Sequence, residues 1–94
     1  MKKKEQVIEK ELFVDYDMFN VEEVIKILSF YNLMEKISRG SRFKPNEVIE
    51  KYNEYRSIIN NKSLEKKYDK ALEQEKGFSI YRLMQFVEEQ NAHR

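Results

Sequence analysis

The 94-residue sequence has no cysteine and no tryptophan, only two glycines and one proline, and a single histidine. Without cysteine the chain has no disulfide, no thiolate metal ligand and no thiol nucleophile, which makes a reducing compartment the default expectation. An all-β chain needs a turn about every 8–12 residues, and two glycines and one proline are too few to form those turns. We therefore predict an all-α protein.

A clear excess of charge of one sign is also lacking. The 18 Lys and Arg residues nearly balance the 17 Asp and Glu residues, so no strong long-range attraction to nucleic acid or to an anionic membrane is expected. The basic start of the chain is not followed by an apolar segment, and no run of about 18 apolar residues occurs. We expect no signal peptide, no membrane contact and a cytoplasmic protein.

Catalytic and metal-binding patterns are sparse. The one histidine, His93, is the second residue from the end, which argues against a Ser-His-Asp site. Gly40 and Gly77 stand alone, so no Gly-rich phosphate loop is present. Glu22 and Glu23 are adjacent carboxylates, but in the first turn of a predicted helix they are expected to offset the helix dipole. We predict no enzyme activity, no metal and no cofactor.

The most apolar stretch is Val21 to Ile37. Its apolar side chains cover most of a helical wheel, which predicts a buried helix around which the other helices pack. Asn20 is a good N-cap with Glu23 in the capping-box position, and Gly40 provides the left-handed residue that ends a helix. The first helix is predicted at about residues 21–39.

Three further helices follow, each with apolar residues at helical spacing. Their start and stop signals, in chain order, are Pro45, Asn60-Asn61, Ser63 as the cap of the third helix, Gly77, and Ser79 as the cap of the fourth. We predict a compact bundle of three to four antiparallel helices at residues 13–90, preceded by a flexible charged arm at residues 1–12.

Six tyrosines and six phenylalanines are many for a chain of this length. Most occupy helix-spaced positions and are expected in the core, with tyrosine hydroxyls reaching the surface. Four large side chains precede the first helix: Phe13, Tyr16, Met18 and Phe19. Unless all of them pack on the bundle, they form an exposed apolar patch and a candidate contact surface for a partner protein or a second copy.

A lysine-rich face is the alternative site. Four lysines lie toward one end of the third helix, with Arg82 expected nearby in space: Lys62, Lys66, Lys67 and Lys70. They could contact the phosphates of RNA or DNA. They could equally be a solvated face, because three carboxylates interleave with them: Glu65, Asp69 and Glu73.

The segment Gly77–Arg82, GFSIYR, carries a family resemblance. Together with Phe19–Asn32, Tyr52–Lys62 and Glu65-Lys66, it resembles uncharacterised protein family 0223 (UPF0223), small proteins of low-GC Gram-positive bacteria. The resemblance covers about residues 14–87. It implies a small helical bundle and supplies no activity, cofactor or partner.

The same segment also predicts a local structure and a surface. Gly77 and Ser79 are expected to form a tight helix-to-helix corner with Phe78 and Ile80 turned inward. Tyr81 and Arg82 then project near the corner as a candidate binding surface. From these features we predict a non-enzymatic helical protein-interaction module, with weak nucleic-acid binding through the lysine face as the alternative.

Overall fold

The computed structural model describes residues 17–92. Within that range the chain forms four α-helices and no strand: α1 (Val21–Ser38), α2 (Pro45–Ile59), α3 (Lys62–Lys76) and α4 (Ile80–Ala92). The predicted all-α helical bundle is therefore confirmed. None of the four helices is both long and apolar enough to cross a membrane. The predicted arm at residues 1–12 lies outside the described range.

The start of α1 has the predicted capping box. The backbone N–H of Glu23 donates to Asn20 Oδ1 at 2.8 Å, and the backbone N–H of Asn20 donates to Glu23 Oε1 at 3.0 Å. The helix ends at Ser38, and Gly40 then takes a positive φ of 97°. These interactions satisfy backbone groups that have no partner within the helix itself.

The connection between α2 and α3 is shorter than predicted. Asn60 adopts a left-handed conformation (φ 49°) that ends α2, and Asn61 follows in an extended conformation. Asn61 Oδ1 accepts the backbone N–H of Leu64 at 2.9 Å. The N-cap is thus Asn61 and not Ser63, because one left-handed asparagine is enough to turn the chain and the next asparagine caps α3.

The core lies where α2 packs against each of the other three helices. Among the described residues α1 contributes the largest set of buried side chains: Val24, Ile27, Phe30, Tyr31, Met34 and Ile37. The expectation that most of the α1 wheel is buried is wrong for Val21 and Ile25, which are 74% and 57% exposed. They lie on the side of the helix opposite the buried residues, where no other described helix covers them.

Two tyrosine hydroxyls meet inside this core. Tyr31 Oη and Tyr55 Oη are 2.9 Å apart and share a buried hydrogen bond, and the Phe30 ring stacks on Tyr55 with centroids 4.8 Å apart. The expectation that tyrosine hydroxyls reach the surface is therefore wrong for this pair. Each hydroxyl provides the other with a polar partner, which a buried phenol requires.

Candidate functional site

The corner between α3 and α4 has the predicted form. Gly77 ends α3 with φ 83°, and its N–H donates to the carbonyl oxygens of Leu72 and Glu73 at 3.2 and 3.0 Å. Phe78 and Ile80 are buried. Glycine suits this position because a side chain is strained at a positive φ.

A carboxylate on α3 holds the first turn of α4 in place. Asp69 Oδ1 accepts the backbone N–H of Ile80 at 2.6 Å. Asp69 Oδ2 accepts the Ser79 hydroxyl at 3.0 Å and lies 3.4 Å from the backbone nitrogen of Tyr81. The predicted cap, Ser79, accepts the backbone N–H of Arg82 only at 3.4 Å. Most of the capping of α4 thus comes from Asp69, ten positions earlier in the chain.

A groove of about 660 Å³ lies between α2, α3 and the first turn of α4. Its size is within the range of about 300–1,000 Å³ that ligand-binding clefts occupy. The groove is lined by Tyr52, Tyr55, Arg56, Lys62, Glu65, Lys66, Asp69, Lys70, Glu73, Ser79, Ile80 and Tyr81. Tyr81 from one predicted surface and three lysines from the other therefore line the same groove.

The α2 side of the groove is aromatic and locally neutral. The Arg56 guanidinium lies 5.6 Å from the centre of the Tyr52 ring, and its Nε is 3.5 Å from Glu65 Oε2. Burial raises the pKa of the Tyr55 hydroxyl well above its usual range and raises the pKa of Tyr52 as well. Both phenols therefore stay uncharged at neutral pH.

Three of the four predicted lysines line the groove. Lys62, Lys66 and Lys70 are exposed, and none of them forms an ion pair within the described residues. Lys67 is exposed but does not line the groove, because one helical position rotates a side chain by about 100° from Lys66. Arg82 is exposed and also lies off the groove.

Tyr81 is the most exposed aromatic side chain along the groove. It is 64% exposed, and its hydroxyl accepts a hydrogen bond from Gln85 Nε2 at 3.3 Å. Its neighbour Ile80, which also lines the groove, is buried. At the end of the groove next to α4, the buried side chain of Ile80 thus forms an apolar floor and the Tyr81 ring is exposed to solvent.

The predicted patch before α1 is only partly described. Phe13 and Tyr16 lie outside the described residues, Met18 is 58% exposed, and Phe19 is partly buried against the core. Val21 and Ile25, four positions apart on α1, are also exposed. The apolar pattern of α1 predicts both residues in the core because the pattern does not show on which side of the helix the other helices pack.

Sequence reasoning also missed the roles of Asp69, Tyr52 and Tyr55. From the sequence, Asp69 is expected only to weaken the field of the lysines, whereas in the structure it caps α4. No local pattern connects it with Ile80, because the contact exists only after the corner has folded. Among residues 17–92, no three His, Cys, Asp or Glu side chains converge on a possible metal position.

Comparison with known proteins gives a consistent set of relatives. The sequence matches the Uncharacterised protein family (UPF0223) over residues 14–94. A UPF0223 protein of Bacillus cytotoxicus is 33% identical over 81 residues, covering 86% of this chain and 89% of the relative. One of Streptococcus uberis is 32% identical over 71 residues, covering 76% of each chain. No solved structure matches.

Proposed function

Because this chain belongs to the uncharacterised protein family UPF0223, which carries no assigned activity, we propose a function from its surface. It is a small, non-enzymatic, cytoplasmic helical module that binds a partner protein through the groove between α2, α3 and α4. Family membership confirms the resemblance predicted from the segment Gly77–Arg82. The proposal that the groove binds a partner is based on the position of the exposed Tyr81 ring along it.

The exposure of Tyr81 is the observation that carries the proposal. The Tyr81 side chain is 64% exposed beside a groove whose floor is the buried Ile80, so the apolar area of its ring remains in contact with water, which is unfavourable. Tyrosine is enriched at protein interfaces, where its ring provides contact area and its hydroxyl a hydrogen bond. The helix corner explains Gly77 and Ile80, but it does not require a tyrosine at position 81. A partner that covers the ring accounts for it.

Nucleic-acid binding is the second candidate function. It is favoured by the row Lys62, Lys66 and Lys70, whose ammonium groups have no ion pair within the described residues. The same groove also contains carboxylates: Glu65, Asp69 and Glu73. Glu65 and Asp69 have local positive partners, but Glu73 has no ion pair within residues 17–92. Across the sequence the 18 Lys and Arg residues are balanced by 17 Asp and Glu residues, so the chain lacks the excess positive charge that binding to many phosphates depends on. We therefore place it second.

Photo-crosslinking in the bacterium that encodes the chain tests the proposed function. A benzophenone amino acid is introduced in place of Tyr81 and, as a matched control, in place of Asn91 near the other end of α4. Protein adducts are expected at position 81 and not at position 91. The same adducts at both positions, no adducts at position 81, or only adducts that nuclease removes would contradict the proposal.

A further inference from the structure

The lysine row along the groove has a positive charge that its neighbours offset only in part. Of the three carboxylates in the groove, Glu65 is 3.5 Å from Arg56, and Asp69 faces the backbone N–H of Ile80. Both negative charges are therefore offset by local positive groups, the second by the positive end of the α4 dipole. Glu73 is the third carboxylate and forms no ion pair within residues 17–92. The groove thus has three lysines without an ion pair and only one carboxylate, Glu73, without an ion pair.

These lysines are regularly spaced. Lys62, Lys66 and Lys70 follow one another every four residues along α3, a rise of about 6 Å per step. Alternate residues of an extended chain are about 6.8 Å apart and project on the same side. A chain lying along α3 with an acidic residue at every second position can therefore present one carboxylate to each lysine in turn.

The wall of the groove opposite the lysines is aromatic, so it can contact apolar side chains on the other side of such an extended chain. Tyr52 and Tyr55 line the α2 side of the groove, and Tyr81 lies at the start of α4. In an extended segment that alternates acidic and apolar residues, the apolar side chains project away from the acidic ones. They would contact the partly exposed ring of Tyr52 and the exposed ring of Tyr81, since Tyr55 is already buried in the core, while the carboxylates contact the lysines.

We propose that the occupant of the groove is an acidic segment of a partner protein, in which Asp or Glu alternates with large apolar residues. Its carboxylates pair with Lys62, Lys66 and Lys70, and its apolar side chains cover Tyr81 and Tyr52. This inference rests on the proposed function and adds the chemistry of the partner. Charge complementarity gives such a segment its register along α3 and steers its approach.

A direct binding measurement tests this inference. The full chain is titrated into a fluorescein-labelled short peptide that alternates Glu with Leu and Phe, and fluorescence anisotropy is recorded. A peptide with Gln in place of every Glu is expected to bind at least about tenfold more weakly, since it lacks the charge pairing. Binding of the Glu peptide is also expected to weaken as salt rises from about 50 to about 200 mM, because salt screens exposed charges.

Variants of α3 connect the binding to the lysine row. The double variant Lys66→Glu/Lys70→Glu is expected to weaken binding of the Glu peptide at least about tenfold, because two attractive pairs become repulsive. Lys67→Glu reverses one charge on the same helix but off the groove, which is half the charge change of the double variant, and it is expected to change binding less than about twofold. Thermal unfolding followed by circular dichroism confirms that both variants are folded. Tyr81→Ala retains the lysines and tests the aromatic contact, with an expected loss of about fivefold.

Several results would overturn the inference. The charge pairing is wrong if the Glu and Gln peptides bind equally well, if Lys66→Glu/Lys70→Glu binds the Glu peptide as tightly as the unmodified chain does, or if Lys67→Glu loses as much affinity as the double variant. The choice of partner is wrong if a single-stranded oligodeoxythymidine binds more tightly than the Glu peptide. Self-association of the chain through the groove, detected by light scattering and abolished by Tyr81→Ala, would overturn it too. If the peptide fails to bind while position 81 still crosslinks to a protein, the interaction module stands and the acidic partner is wrong.

Discussion

The Asp69 carboxylate and the backbone N–H of Ile80 form a 2.6 Å hydrogen bond across the corner between α3 and α4. This bond supplies α4 with a cap from a different helix, in addition to the longer contact at Ser79. It also orients the first turn of α4, and with it the Tyr81 side chain, toward the groove. A single α3 residue therefore links the stability of the fold to the shape of the candidate site.

Removing this carboxylate is expected to destabilise the protein. Asp69→Ala should lower the free energy of unfolding by about 1–2 kcal/mol, the usual cost of losing a helix cap. Urea denaturation followed by circular dichroism measures the change. Glu73→Ala, one turn further along α3, is the matched control, and a change within about 0.5 kcal/mol is expected. Equal losses in the two variants would show that Asp69 does not cap α4.

Gly77 provides a second test of the corner. Apart from Gly77 itself and its two chain neighbours, an added Cβ would meet no atom within 4 Å, and φ is 83°. The cost of Gly77→Ala therefore comes from backbone strain alone, which we expect to lower the free energy of unfolding by about 1–2 kcal/mol. Gly77→Asn should cost less, because asparagine tolerates the left-handed region better than alanine. If alanine is tolerated as well as asparagine, the left-handed conformation at this position is not required.

Much of the fold follows from local sequence signals. Asn20 and Glu23 mark the start of α1 and Gly77 the end of α3, because caps depend on residues within a few positions of one another. Where two adjacent residues could both cap or end a helix, as at Asn60 and Asn61, the pattern does not decide between them. The sequence therefore predicts a third helix capped by Ser63, whereas α3 begins at Lys62.

The candidate site was less predictable because it depends on how the helices are placed relative to one another. The sequence predicts Tyr81 and the lysines as two separate candidate surfaces. That they line one groove depends on how α3 packs against α2, and residue types alone do not determine this. The exposure of Val21 and Ile25 has the same explanation, since a helix that is apolar on several sides does not reveal which side its neighbours cover.

The buried tyrosine pair makes a prediction about the core. Tyr31 and Tyr55 share a 2.9 Å hydrogen bond between their hydroxyl groups. A double-mutant cycle with Tyr31→Phe and Tyr55→Phe should give a coupling energy of about 0.5–1.5 kcal/mol, the usual net value of one hydrogen bond. Urea denaturation of the four proteins provides the measurement. Additive effects of the two substitutions would mean that the hydroxyls do not interact.

The same pair predicts how stability changes at alkaline pH. Burial raises the pKa of the Tyr31 and Tyr55 hydroxyls above the ordinary tyrosine value of about 10. Above that pH the unfolded chain loses two protons that the folded protein keeps. The stability associated with these two protons is therefore fully present below about pH 10 and is lost as the pH rises further, by up to about 1.4 kcal/mol per pH unit for each group.

Urea denaturation at a series of pH values between about 8 and 11.5 measures this loss. In the double variant Tyr31→Phe/Tyr55→Phe the decline above about pH 10 should be shallower, because phenylalanine has no proton to lose. Lysines and the other tyrosines titrate in both proteins, so their effects cancel in the comparison. Identical slopes in the two proteins would contradict the prediction, because they would show that these buried hydroxyls ionise as readily in the folded chain as in the unfolded one.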